Sequence, residues 1–253
     1  MKHKINLLVF VILLLITVLV MYKENLFLTI VSIICFIFLV ILTTGVLFMK
    51  FNYFLKSIIK LNSNHVLLTF DDGPHPKFTP IILEILSKHN IKAIFFIIGN
   101  KVKNNPKIVK RIIDEGHLIG NHSQNHNPMI SLFSKSKLMK EIISAQNTIK
   151  EITSTNTNIF RPPVGYTNPN YAFVLQKLKI KCIGWTLRSY DTIYKTPEKL
   201  VKRLVSKTKP KSIILLHDNL LVTASALDKY INETKKNGIK FVSSNEIKKI
   251  FDE

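Results

Sequence analysis

Cysteine is scarce in this 253-residue chain. Cys35 falls in an uncharged run near the N-terminus and Cys182 in a strand-like stretch, which excludes a disulfide between them. Acidic residues are also few: 16 Asp and Glu stand against 36 Lys and Arg, a formal charge of +20. Such a balance raises nucleic-acid binding as a function. Basic blocks interleaved with aromatics are missing, however, and so is any nucleic-acid motif. The cations are spread in ones and twos, as at Lys101, Lys103, Lys107, Lys110 and Arg111, which predicts a solvated surface beside anionic lipid or an anionic polymer, with no nucleic acid as partner.

Charge is nearly absent from Ile5 to Met21 and from Leu26 to Met49, which accounts for a hydrophobic content of 47% and a mean hydropathy of +0.19. Each run can cross a hydrocarbon core of about 30 Å. A cleavable signal peptide is disfavoured, because Leu19-Val20-Met21-Tyr22 lacks small residues and a second apolar run follows at once. Residues 1–50 are therefore expected to form a transmembrane hairpin, with helices at about 5–21 and 26–49, followed by a linker over 51–64 and a globular domain over 65–253. Lys2 and Lys4 precede the hairpin, Lys23 interrupts it, and Lys50, Lys56 and Lys60 follow it. The positive-inside rule thus places both ends in the cytoplasm, by a narrow margin.

Beyond the linker, short apolar runs alternate with amphipathic helical stretches. Strands are predicted at Val66–Phe70, Ala93–Ile98, His117–Gly120, Ile159–Phe160, Cys182–Leu187, Ser212–Leu216 and Lys240–Val242. Helices are predicted at Thr79–His89, Pro106–Glu115, Lys135–Glu151, Asn168–Leu178, Thr196–Lys207 and Ala224–Lys236. Continuously apolar strands between helices imply a parallel sheet buried on both faces, and a closed or nearly closed β/α barrel avoids exposed edges. Active sites in that architecture lie at the carboxyl ends of the strands. Catalytic residue types cluster there: Asp71-Asp72, His122 to His126, Arg161-Pro162-Pro163, Arg188 to Asp191, and His217-Asp218.

Adjacent carboxylates before Gly73-Pro74 repel each other unless a cation or a shared proton intervenes. His122 and His126 with one carboxylate form a ligand set suited to a zinc-like divalent ion, and three protein ligands leave room for water and substrate. Neighbours on a strand point opposite ways, so one acid is expected to face the metal and the other the reacting centre. A base that deprotonates water and an acid that protonates a leaving group complete such a hydrolase, and His217 is the remaining histidine so placed. Arg161 would keep a base carboxylate ionised. The stiff Pro162-Pro163-Val164-Gly165 segment could aim a backbone N–H at an oxyanion.

Thr69-Phe70-Asp71-Asp72-Gly73-Pro74, His122-Ser123-Gln124-Asn125-His126, Arg161-Pro162-Pro163-Val164-Gly165, Trp185 with Asp191, and Leu215-Leu216-His217-Asp218 resemble, in order, the five motifs of the NodB-homology polysaccharide deacetylases, carbohydrate esterase family 4. The resemblance runs from about Val66 to the C-terminus. It implies a distorted (β/α)7 barrel and metal-dependent deacetylation of N-acetylated sugars in peptidoglycan, chitin-like or exopolysaccharide chains. By position it makes Asp71 the general base, His217 the general acid, Arg161 the partner of the base, and Asp191 a candidate orienting group. Asp72, His122 and His126 would hold one divalent ion, zinc foremost, with cobalt, nickel or manganese as alternatives. Pro163, Val164, Tyr166, Trp185 and Leu215 are the implied substrate contacts. Two positions depart from the family pattern: Val164 replaces a usual aromatic, and Arg188 stands near a frequent acid, which leaves open what orients His217. An extracellular polymer requires the domain outside the cell, against the lysine count, and the outward placement is the expectation. An O-acetyl ester or small amide would suit the same site. A third class is an inactive membrane-bound glycan-binding protein.

Overall fold

The computed structural model describes residues 2–247 and 249–250. Two long helices, α1 (Lys2–Met21) and α2 (Phe27–Leu47), form an antiparallel hairpin in which Phe10 stacks on Phe38 at 4.1 Å. Both are long and apolar enough to cross a membrane, and within them only Thr17 and Gly45 are buried.

The remaining strands are β1 (Ser57–Ile58), β2 (Leu67–Gly73), β3 (Ala93–Ile97), β4 (Leu118–Asn121), β5 (Ile159–Phe160), β6 (Lys181–Ile183), β7 (Leu187–Arg188) and β8 (Ile213–His217). They form one parallel sheet in the order β1-β6-β5-β4-β3-β2-β8-β7. Around it run α3 (Phe78–Lys88), α4 (Gly99–Asn104), α5 (Pro106–Asp114), α6 (Lys135–Thr153), α7 (Pro169–Lys177), α8 (Pro197–Lys207), α9 (Leu221–Lys236) and the short α10 (Ser244–Ile247). Their starts are written in the sequence: proline occupies the first turn of α5, α7 and α8, where its missing N–H costs nothing. Ser134 and Asn168 cap α6 and α7 by accepting from the backbone N–H groups of Lys137 and Tyr171.

The run from Cys182 to Leu187, expected as one strand, is two. β6 and β7 belong to opposite flanks of the sheet yet are separated only by Gly184, Trp185 and Thr186, a path of at most about 14 Å. The flanks must therefore approach each other, and the sheet is curled into a distorted barrel. Residues 57–61 fill the remaining gap: Ile58 accepts from the Gly184 N–H at 2.8 Å, and the Leu61 N–H donates to Lys211 at 3.0 Å. Tyr53, Phe54 and Leu55, in the stretch expected to be a linker, are buried, with Tyr53 and Phe54 against His3 of α1. β1 lies within the stretch expected to be a linker and was not among the predicted strands. Lys240–Val242 contributes a single bridge, Phe241 beside Val66.

Alternation along the strands sorts the core. Leu68, Phe70, Phe95, Ile214 and Leu216 pack outward under the helices, whereas Leu67, Ile94, Phe96 and Ile213 fill the barrel interior with Ile159 and Ile183. The register of β2 against β8 pairs Leu67 with Ile213, Thr69 with Leu215 and Asp71 with His217. Ascending the interior, apolar pairs thus give way to a carboxylate and an imidazole at the carboxyl end.

Candidate active site

Asp71 sits at the top of the interior row of β2, and Asp72 follows it in a bulge. Asp71 lies opposite Phe96 and Gly73 opposite Ile97, so Asp72 has no partner on β3, and its φ is +70°. The bulge corrects the expectation of opposite faces, since the extra residue turns Asp72 towards the side that Asp71 already faces. Asp71 Oδ2 is 3.9 Å and Asp72 Oδ1 3.5 Å from the same atom, His122 Nε2.

His122 follows β4, and its Nδ1 lies 2.8 Å from the Arg161 carbonyl oxygen. A carbonyl only accepts, so Nδ1 carries the proton and the Nε2 lone pair faces the two acids. His126 is brought alongside by a tight loop in which its N–H donates to Ser123 Oγ at 3.0 Å, placing its Nε2 3.1 Å from Asp72 Oδ1. The ligand atoms of Asp72, His122 and His126 lie within 4.8 Å of one another. Asp72 Oδ1 is buried and makes no hydrogen bond of proper geometry despite these neighbours. Bonds of about 2.0–2.1 Å to a tetrahedral ion separate its ligand atoms by about 3.3 Å, so spacings of 3.1 and 3.5 Å suit a zinc-sized ion. The electrostatics agree. Burial alone would raise the Asp72 pKa, but the His122 and His126 imidazoles beside it outweigh burial and hold the carboxyl far below its usual range. His126 shows the reciprocal effect: burial lowers its pKa, and the contact with Asp72 raises it above the ordinary value.

Arg161, after β5, is fully buried beneath this centre. Its Nη1 donates to Asp71 Oδ1 at 2.7 Å and to Thr69 Oγ1 at 2.8 Å, Nε to the Ile183 carbonyl at 3.1 Å, and Nη2 to the Gly184 carbonyl at 2.8 Å. Its guanidinium lies 4.2 Å over the Phe96 ring. One oxygen of Asp71 is thereby committed to Arg161, and the other faces the pocket.

Opposite stands His217. Asp191, in the loop after β7, meets its Nδ1 at 2.7 Å through Oδ1, while Oδ2 accepts from the His217 N–H at 2.7 Å and the Thr223 hydroxyl at 2.8 Å. Asp191 is thus the carboxylate that holds this imidazole, and Nε2 is turned to the pocket. Burial would lower the His217 pKa, but the Asp191 contact, with the charges of Asp71 and Asp72, raises it to about 9.

A pocket of about 150 Å³ collects Asp71, Asp72, His122, His126 and His217 under walls of Val164, Gly165, Trp185, Leu215 and Arg188. Pro163 and Tyr166, in the loop that carries Val164, do not line it. Gly165 has φ +84°, and a Cβ there would lie 2.2 Å from the Trp185 ring, so only glycine lets that loop close over the tryptophan. Thr69 and Thr223 went unassigned from the sequence, since a buried threonine carries no motif of its own. Asp218 was seen only as part of a motif. Fully buried, its carboxyl pushed up to about 7 by burial, it accepts from the Thr79 hydroxyl at 2.6 Å.

The model of the polysaccharide deacetylase family matches residues 59–183. A peptidoglycan-N-acetylglucosamine deacetylase of Bacillus cereus is 34% identical over 191 residues, which cover 74% of this chain and 89% of the relative. The chain belongs to the polysaccharide deacetylase family. The peptidoglycan-N-acetylglucosamine deacetylase PgdA of Listeria monocytogenes is 32% identical over 185 residues, and there the match spans 39% of the relative's length. Among solved structures, BA3943 of Bacillus anthracis, a family 4 pseudoenzyme, superposes on this family member with a TM-score of 0.70 at 30% identity, covering 76% of this chain and 68% of its own.

Proposed function

We propose that this protein is a membrane-anchored, metal-dependent hydrolase that removes acetyl groups from N-acetylated sugars of a glycan such as peptidoglycan. The observation that carries the reading is the convergence of Asp71, Asp72, His122, His126 and His217 on one small pocket. Asp72, His122 and His126 would hold one divalent ion, zinc by spacing and donor set. Such an ion, when bound, supplies Lewis acidity to the acetyl carbonyl and makes an attacking water easier to deprotonate. Asp71 takes the water's proton through the oxygen that Arg161 leaves free. His217 gives its proton to the sugar nitrogen as the amide C–N bond breaks, yielding acetate and a free amine. Trp185, Leu215 and Val164 wall a space that suits the acetyl methyl.

Likeness to a pseudoenzyme makes an inactive glycan binder the reading to exclude, and the complete set of five polar residues favours turnover. Purified full-length protein, stripped of metal and reconstituted with zinc, cobalt, nickel or manganese, should release acetate from N-acetylglucosamine oligomers in proportion to bound metal. His126→Ala removes one of three ligands and should weaken metal binding by more than the roughly 10–100-fold that losing a group supporting a ligand costs. Metal uptake with no acetate from any acetylated glycan would revive the binder, and faster turnover of acetyl-xylan would shift the substrate to an ester.

His217 must be protonated to act, so kcat/KM should fall as pH rises through a His217 pKa that Asp191 holds above the ordinary imidazole value. The Asp191 part of that rise comes from a direct contact with Nδ1 and does not depend on what binds at Asp72. In Asp191→Asn the alkaline limb should therefore move to lower pH; an unmoved limb would remove His217 from the role of acid.

The hairpin would anchor residues 51–253 at the bilayer, with the deacetylase domain outside. A reporter fused after Glu253 that works only in the cytoplasm should be silent, and a positive signal would reverse the orientation.

A further inference from the structure

The last turn of α2 is fastened to the loop that closes over the catalytic pocket. The Thr167 N–H donates to the Val46 carbonyl at 3.1 Å, and its hydroxyl to the Gly45 carbonyl at 3.1 Å. A Cβ on Gly45 would lie 2.3 Å from the Tyr53 ring, so the helix rests directly on that side chain. The start of α1 returns to the same place: Lys2 Nζ donates to the Phe51 carbonyl at 2.9 Å and the His3 N–H to the Tyr53 carbonyl at 3.3 Å. A bilayer spanned by this hairpin thus begins beside the catalytic mouth. The segments that follow the strands suit that neighbourhood, since Met129, Leu132, Val164 and Ile193 are exposed on them, as is Leu221 at the start of α9.

Between the end of α2 and the pocket runs a groove of about 280 Å³. Leu47, Phe48 and Met49 form its membrane-side wall, while Trp185 and Arg188 line both the groove and the catalytic pocket, so the two spaces adjoin. Lys50, Arg188 and Arg203 surround it, and among the described residues none of them has a carboxylate within ion-pair distance. Arg203 is held in place by donating to the Ser189 and Arg188 carbonyls at 3.0 and 3.1 Å. Arg188 Nε is buried with no hydrogen-bond partner. A buried guanidinium N–H without an acceptor calls for an anion, and the fork geometry of arginine suits phosphate. The apolar wall calls for hydrocarbon beside that anion.

We propose that this groove binds the phosphate and adjoining hydrocarbon of a saccharide joined through a phosphodiester to a membrane lipid, and so presents the lipid-proximal N-acetylated sugar to the catalytic pocket. The inference rests on the deacetylase reading above and narrows its substrate. A lipid-linked saccharide is within reach whichever leaflet the domain faces.

The test uses the full chain in phosphatidylcholine vesicles with three N-acetylglucosamine oligomers: one free, one on a neutral alkyl chain, and one joined to the same chain through a phosphodiester. Acetate release should be at least about tenfold faster from the phosphodiester-linked oligomer than from either other, with mass spectrometry locating the loss on the sugar next to the phosphate. Arg188→Glu and Lys50→Glu should each bring the ratio of phosphodiester-linked to neutral alkyl-linked rates towards one. Equal rates on the two alkyl-linked oligomers, ratios unchanged in both variants, or loss of acetyl groups from distal sugars would overturn the lipid-phosphate site while leaving deacetylation standing. Acetate from none of the three would instead overturn the deacetylase reading, and this one with it.

Discussion

His217→Ala should lower kcat on N-acetylglucosamine oligomers by about 10²–10⁴-fold, and Asp71→Asn by a similar factor, with metal content unchanged. Neither residue belongs to the three-ligand cluster, so a loss of rate without a loss of metal isolates proton transfer. The two changes act on opposite halves of the reaction: Asp71 faces the water and His217 the leaving nitrogen. Register places them on adjacent strands at one level of the barrel, where an acetyl carbon between them can be reached by both. Asparagine keeps an acceptor for Arg161 Nη1, so Asp71→Asn removes the proton-accepting charge without opening the buried contact. Acetate release within a few-fold of wild type in both variants would defeat the mechanism. Equal loss in kcat with raised KM would point instead to substrate placement.

These residues were legible in the sequence because the architecture is. Apolar strands alternating with helices give a parallel barrel, and in a parallel barrel every strand end opens on the same side. Clusters more than a hundred residues apart, such as Asp71-Asp72 and His217-Asp218, are therefore placed together by the sequence pattern alone. Three features escaped for identifiable reasons. The bulge at Asp72 violates the period of two on which orientation arguments rest, so alternation predicted divergent acids where the chain makes convergent ones. The break at Gly184-Trp185-Thr186 lies inside a run of strand character, and only the closure of the sheet decides that its halves join opposite flanks. The orienting group of His217 was ambiguous because Arg188 and Asp191 are three residues apart; the turn at Ser189-Tyr190, with Tyr190 at φ +60°, brings Asp191 back to the imidazole and leaves Arg188 at the mouth.

Arg161→Met should be the most destabilising single change at the site. Wild-type Arg161 and Asp71 are almost wholly shielded from water, and their contact is completed by Thr69 and two backbone carbonyls. Removing the cation leaves a buried carboxylate unpaired and strands those acceptors, a loss of about 3–5 kcal/mol. For a domain of this size that lowers Tm by about 6–20 °C. Arg161→Lys should recover little, because one ammonium cannot reach Asp71, Thr69, Ile183 and Gly184 at once. The decisive comparison is the double variant Arg161→Met with Asp71→Asn. If the penalty is an unpaired charge, adding the second substitution restores part of the Tm and none of the activity. Should the double variant be less stable than Arg161→Met alone, the guanidinium would be acting through its packing on Phe96 and its bonds to the carbonyls rather than through Asp71. Its place beside the base would then be incidental to catalysis.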